Sequence, residues 1–532
     1  MTTLLRLHLR TRRGFLIGWL TPLIAFMAVT PPAYRATYPN QTELEVLAEP
    51  MRVNLGLRAM YGIVPDPFTF GAFTQWETGM WVSILGSVMA ILLAVRLTRA
   101  TEDDGIAEIV RSSGLTTRTH AASAAIVVIG ACAALGLGST LALLACSTAI
   151  EGMSAIGCML TGAVVAAATS AAGAIGLLAG HAAKTARGAR GLGMAYLGLA
   201  FAVRAIADVR ELDWLRPLSP LGWRDVVAPF SENRAWALIP MAAVVLVMVW
   251  ASMTVAARRD LGATWPARGE RGSARRTTQW RGHGSWGLRA RLEWPTLLGW
   301  AVATIALTIF FMSMTGEMTS MLESSPGTAE LARQMAGGST MEDVFTELMG
   351  TWLGLLVACT AVQATLSVHG DEAAGRLTPE LASGVRRPRP YVVAWAVAVA
   401  AVTVIIAIAA PLGATAAQAS TDTPDIASGA LWSLGGQWPA AIAAAGIAAF
   451  FAAVLPKVAW LAWIPVAWSG VTTFFGGIFG YPDWLMDVSL FAHAPHAADG
   501  TVDWTGAIVL AAIGVLGMVL GAVAVGKRDL VG

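Results

Sequence analysis

The sequence predicts an all-α polytopic membrane protein, with twelve transmembrane helices as two parallel six-helix repeats related by a pseudo-twofold axis along the membrane normal. Three observations lead there. Of 532 residues, 56% are hydrophobic and 13% charged, with a mean hydropathy of +0.61, whereas a soluble domain carries about 25% charge. Apolar runs repeatedly reach the roughly 20 residues that a helix needs to cross a bilayer. Short polar motifs also recur at a nearly constant offset of 270 residues, the mark of an internal repeat.

The chain opens on LRLHLR, whose period-two alternation would read as a strand in isolation. Ahead of a membrane helix it reads better as an interfacial elbow helix with snorkelling arginines, and LRARLEW (Leu288 to Trp294) is its counterpart. RLHLRTRR followed by GFLIGWLTPLIAFMAV imitates a secretory signal. No small-residue cleavage site follows, so the segment is an uncleaved first helix. The spans lie near 14–34, 76–97, 121–148, 155–181, 190–207, 235–257, 297–315, 348–368, 391–413, 433–455, 458–478 and 504–526. With the N-terminus inside, most of the 36 Lys and Arg fall in inner connections and most of the 34 acids outside. The positive-inside rule therefore puts both termini in the cytoplasm.

The division is 1–261 for the first half, 262–287 for a linker and 288–532 for the second half. The linker, GATWPARGERGSARRTTQWRGHGSWG, is rich in Gly and Arg and lacks an apolar period. It reads as a flexible cytoplasmic tether, and its charge would also suit anionic lipid.

The repeat is clearest in two charged islands, RATEDDGIAEIVRSSGLTTRTH (Arg99 to His120) and HGDEAAGRLTPELASGVRRPRPY (His369 to Tyr391). At the common offset Glu102 meets Glu372, Gly105 meets Gly375, and Ser113-Gly114 meets Ser383-Gly384. Glu77 likewise meets Glu347 and DWL at Asp213 returns at Asp483, while RDL at Arg259 returns at Arg528 with an offset of 269. Gly18-Trp19 returns at Gly299-Trp300 with an offset of 281, so the loops after the first helices differ in length.

In the second island Thr378 is a good N-cap, Pro379 suits the first helical position, and Glu380 falls where the helix dipole favours it. Gly384 can take the left-handed conformation that ends a helix. The first island predicts a similar short helix from Ile106 to Ser113, ended by Gly114. A single copy would pass for an ordinary capped turn between antiparallel spans. A carboxylate and a glycine repeated at fixed spacing point instead to docking elements.

On these residues the chain resembles the type-two family of ABC exporter permeases, whose members carry six helices per half and a Glu- and Gly-containing cytoplasmic motif after the second helix. The resemblance covers essentially the whole chain. It implies that Glu102, Gly105, Glu108, Ser113 and Gly114 in one island, and Glu372, Gly375, Thr378, Glu380, Ser383 and Gly384 in the other, form coupling helices that dock on an ATPase. The second copy departs from the pattern, with Thr378 where Glu108 stands and a glutamate two residues later. With WLRPLSPLGW (Trp214 to Trp223), the chain looks most like duplicated twelve-helix actinobacterial exporters of polyketide antibiotics and other drugs.

No G-x-x-x-x-G-K-[ST] phosphate cradle occurs in the sequence. The resemblance therefore implies two copies of a separate ATPase subunit that would hold ATP and Mg, with no cofactor in this chain. It also implies a hydrophobic small-molecule substrate, the bacterial cell membrane as location, and no nucleic acid partner. A flippase for lipid or cell-envelope precursors and an ion-coupled secondary transporter are the alternatives. The latter usually needs charge near the bilayer midplane, and the spans hold almost none.

Little else carries chemistry. Glu77 and Glu347 either line an export pathway, as acids at membrane depth often do, or sit solvated among the outer headgroups. Trp19, Phe73 and Trp300 are pathway candidates beside them, while most other tryptophans suit an interfacial belt. Of seven histidines, His493 and His496 with Asp499 have helical spacing, but Pro495 argues against a helix there, and no metal site is assigned. Cys132, Cys146, Cys158 and Cys359 all lie in apolar runs without paired spacing and read as packing residues. Gly162, Ala166, Ser170 and Ala174 form a small-residue stripe suited to close helix packing. No catalytic constellation is present.

Overall fold

The computed structural model describes residues 1–528 except 39, 113, 115, 259–283, 318, 320–339, 480, 481, 496, 499, 500 and 503. Ser113, linker residues 262–283, the first RDL, His496 and Asp499 therefore lie outside the described residues. The chain divides into two compact units, Met1–Ser273 and Ala274–Gly532. Among the described residues, eleven helices are long and apolar enough to cross a membrane.

The first unit holds six of them. Helix α1 (Thr2–Thr37) is followed by short helices α2 (Gln41–Val53) and α3 (Leu55–Tyr61). The second span is broken at Glu77 into α4 (Phe70–Trp76) and α5 (Thr78–Leu97). Two short helices, α6 (Arg99–Asp103) and α7 (Ile106–Ser112), make the first island. Then come α8 (Thr117–Ser147), α9 (Ala155–Ala182), α10 (Ala186–Val209), a short α11 (Trp223–Val227) and α12 (Leu238–Ala257).

Helix α9 is the hub, packed by α5, α8, α10 and α12. Its small residues explain this. A side chain at Gly162 would collide with the Gly136 carbonyl and the Thr140 hydroxyl of α8, and one at Gly136 would strike Ala166. The stripe is a close-packing surface of the kind that brings apolar helices together.

The second unit contributes α13 (Gly284–Met312), α14 (Met341–Ala373), the one-turn island helix α15 (Thr378–Ala382) and α16 (Arg389–Ser420). These are followed by α17 (Ile426–Gly435), α18 (Trp438–Val454), α19 (Ile464–Phe479), the single turn α20 (Asp483–Met486) and α21 (Thr505–Lys527). Its tightest packing joins α18 to α21, where Gly446 lies against Gly514 and Gly517, and Gly521 against Ala449 and Ala453.

The expected span at 458–478 takes a different form. Pro456–Trp463 is 3₁₀ with a kink at Val458, and only the 16 residues of α19 are α-helical. Pro456 and Pro465 explain the break, because each lacks the N–H that would bond back into a continuous helix.

Candidate functional site

Each island begins where the second long helix of its unit ends. After α5 and α6, the chain turns at Gly105 (φ +72), forms α7, and turns again at Gly114 (φ +84). After α14 it turns at Gly375 (φ +67), forms α15, and turns again at Gly384 (φ +86). All four glycines are left-handed, and nothing lies within 4 Å of where a side chain would stand. Backbone conformation, not crowding, selects glycine here, because a left-handed residue with a Cβ is strained.

The capping of α15 differs from expectation. Thr378 is the first helical residue rather than the cap, since Leu377 precedes the helix and the Thr378 N–H already bonds to the Gly375 carbonyl at 3.3 Å. Pro379 and Glu380 stand in the first turn. The Ser383 hydroxyl donates to the Glu380 carbonyl at 2.6 Å, closing the helix toward Gly384.

The carboxylates of the islands separate into two sets. Glu108 is exposed at the start of α7, and Thr378 and Ser383 are exposed around α15, with Glu380 half-buried beside them. Glu102 and Glu372 are turned inward. Glu102 is 12% exposed and pairs with Arg99 at 2.8 Å. Arg99 is itself buried and donates to the Ala183 carbonyl, while Asp103 accepts from the Ala186 N–H at 2.7 Å. The first island is thereby fastened to the turn between α9 and α10. Glu372 is 4% exposed and takes the Arg528 guanidinium at 2.7 Å and the Tyr391 hydroxyl.

At the other end of the first unit, Glu77 accepts from the Tyr34 hydroxyl, and the Tyr34 ring stacks on Phe73 at 4.0 Å. Phe73 packs in turn on Phe68 and Trp76, and Trp76 on Tyr61. Burial, with the Glu77 charge second, pushes the Tyr61 phenol up to about 12 and also raises that of Tyr38. Both phenols stay protonated at neutral pH.

Beside this cluster lies a charge network that sequence reasoning missed. Arg204 and Asp208 of α10 are fully buried and paired at 3.2 Å. Arg216 holds the second oxygen of Asp208 at 3.1 Å, and Arg204 also donates to the carbonyls of Ala59 and Met60. Arg224 donates to the Trp76 carbonyl at 2.7 Å. The only signal in the sequence was an Arg and an Asp four apart at the end of an apolar run, the spacing that places them on one helix face.

Comparison with known proteins follows this architecture. A family model described as the C-terminal domain of the multidrug efflux system permease Rv1217c matches residues 283–525. Over 540 aligned residues, 99% of this chain and 94% of the relative, the chain is 30% identical to the multidrug efflux system permease protein Rv1217c of Mycobacterium tuberculosis (strain ATCC 25618 / H37Rv). The chain belongs to the multidrug efflux permease family. It is a multi-pass membrane permease.

The remaining pathway candidates of the permease are scattered by unit. In the first, Trp19 is half-buried beside Phe15 on α1, while Phe73 and Glu77 belong to the aromatic cluster. In the second, Trp300 donates to Gln363 at 2.9 Å, which joins α13 to α14. Glu347 is exposed in the first turns of an unbroken α14, unlike Glu77, which stands at a helix break. The two acids match in sequence and differ in setting. The four cysteines are unpaired thiols within helices, and among the described residues no cluster of metal-ligating side chains occurs.

Proposed function

We propose that this permease is the membrane-spanning subunit of an ATP-driven ABC exporter of hydrophobic compounds such as drugs and antibiotics, energised by a separate ATPase that docks on each of the two islands. The observation that carries the reading is the shared backbone path of the islands: long helix, left-handed glycine, short helix, left-handed glycine. Two elements that repeat the same left-handed turns, with no packing need for glycine there, are suited to presenting the same surface twice. On this reading ATP and Mg sit on the partner, which accords with the lack of a phosphate cradle in this chain. The contact would be made by the outward residues Glu108, Thr378, Glu380 and Ser383, with Gly105, Gly114, Gly375 and Gly384 shaping the turns and Glu102 and Glu372 supporting them from within. The gathering of Lys and Arg on one side favours both termini in the cytoplasm of a bacterial cell. Drug passage would involve Trp19, Phe73, Glu77, Trp300 and Glu347.

Co-purification with an ATPase encoded alongside, and transport into inverted vesicles, test the proposal. The combined variant Glu108→Arg with Glu380→Arg is expected to lose ATPase capture and ATP-driven transport while still inserting normally. Retention of both activities would refute docking at the islands. Transport driven by an ion gradient without ATP would favour a secondary transporter, and movement of labelled lipid in place of drug would favour a flippase.

A further inference from the structure

Asp371 and Glu372 are adjacent carboxylates at the end of α14, and arginines from opposite ends of the second unit reach them. Asp371 is buried and takes Arg289 of α13 at 2.7 Å on one oxygen and Arg376, in the island turn, at 3.0 Å on the other. Glu372 takes Arg528, the residue after α21, at 2.7 Å, together with the hydroxyl of Tyr391 in the first turn of α16. Arg528 also donates to the Tyr391 hydroxyl at 3.0 Å, and its carbonyl accepts from Arg387 of the island at 3.1 Å. Leu377 of the island turn closes the apolar side, packed with Val368, Tyr391, Ala394, Ala452, Ala453 and Val525. Three helices therefore converge on two neighbouring side chains.

We propose that Asp371 and Glu372 are positioning residues that act as an internal anchor, not as contacts for a partner, and that they carry motion of the second island to α13, α16 and α21. The inference rests on the proposed ATPase docking for the source of that motion, but the anchor itself belongs to the permease alone. Pulling either arginine away would leave a withdrawn carboxylate unpaired, which is costly, so the helices that carry these arginines are held to the island. The first island is tied by Arg99 and Asp103 to the turn between α9 and α10.

The test is a charge swap, read on the purified permease and on the complex with its ATPase. Glu372→Arg is expected to lower the melting temperature of the permease in detergent. In the complex it is expected to leave ATPase capture and ATP hydrolysis in place, and to cut drug exported per ATP hydrolysed by tenfold or more. Adding Arg528→Glu should restore both the melting temperature and the export ratio. The milder pair Glu372→Gln and Arg528→Gln covers the case in which Glu372→Arg fails to fold, and the double variant should then be no less stable than the worse single one.

Loss of ATPase capture with an unchanged melting temperature would make Glu372 a docking contact and overturn the anchor. So would a swap no better than Glu372→Arg alone, or additive effects in the glutamine pair. If the wild-type permease captures no ATPase, the docking proposal fails, and the melting measurements on the permease alone still decide the anchor.

Discussion

Asp208 shows what a single residue does in this permease. Its two oxygens hold Arg204 and Arg216, and Arg204 spends its other amino group on carbonyls that end α3. Asp208→Ala removes the carboxylate that both arginines share and leaves Arg204 buried without it. Breaking a buried pair in this way costs about 3–5 kcal/mol, so a large fall in melting temperature in detergent is expected, and an unchanged one would show that the network is dispensable. Gly62 belongs to the same locality. Its φ is +91, and a Cβ there would meet the Arg224 guanidinium at 2.6 Å, so the turn and the network require each other.

Among the elements, the islands show how little packing is needed to specify a conformation. Gly105 and Gly375 have open space around them, so alanine at either would meet no clash and only the strain of a left-handed residue, about 1–2 kcal/mol. Gly105→Ala and Gly375→Ala are expected to insert normally yet export less drug, and asparagine, which tolerates this region better, should retain more. Drug accumulation in cells expressing each variant would measure this, and equal export by alanine, asparagine and glycine forms would show that the turn geometry is irrelevant. The helices that end at these glycines were legible, since Pro379, Glu380, Gly114 and Gly384 are local signals. The 3₁₀ break at Pro456–Trp463 was not, because an apolar run marks a span whether or not its backbone is continuous.

At the scale of the whole molecule, each unit has its own core, with α9 as hub in the first and α14, α16 and α18 around the centre of the second. Units of this kind need not be continuous in the chain to fold. Co-expression of 1–261 and 288–532 as separate polypeptides is therefore expected to restore export to a strain lacking the permease. Failure of both fragments to reach the membrane would show that one half is needed for the other to fold. The family membership, established over nearly the full length, fits an exporter built as one such chain.

The sequence by itself determined that this chain lives in a membrane, where most of its long helices run, and that Gly105 and Gly114 turn the chain as Gly375 and Gly384 do 270 residues later, because apolar length and glycine placement are local properties. Only the tertiary structure decided which of those acids face outward. Glu372 and Glu108 look alike in a string of letters. One is buried where Arg528, 156 residues away, folds back to pair with it, and the other stands exposed at the start of α7. The same holds for Arg204 and Asp208, whose network is completed by the end of α3, more than a hundred residues earlier. Charge in an apolar chain is cheap to notice, and its meaning is set by partners that only the fold brings within reach.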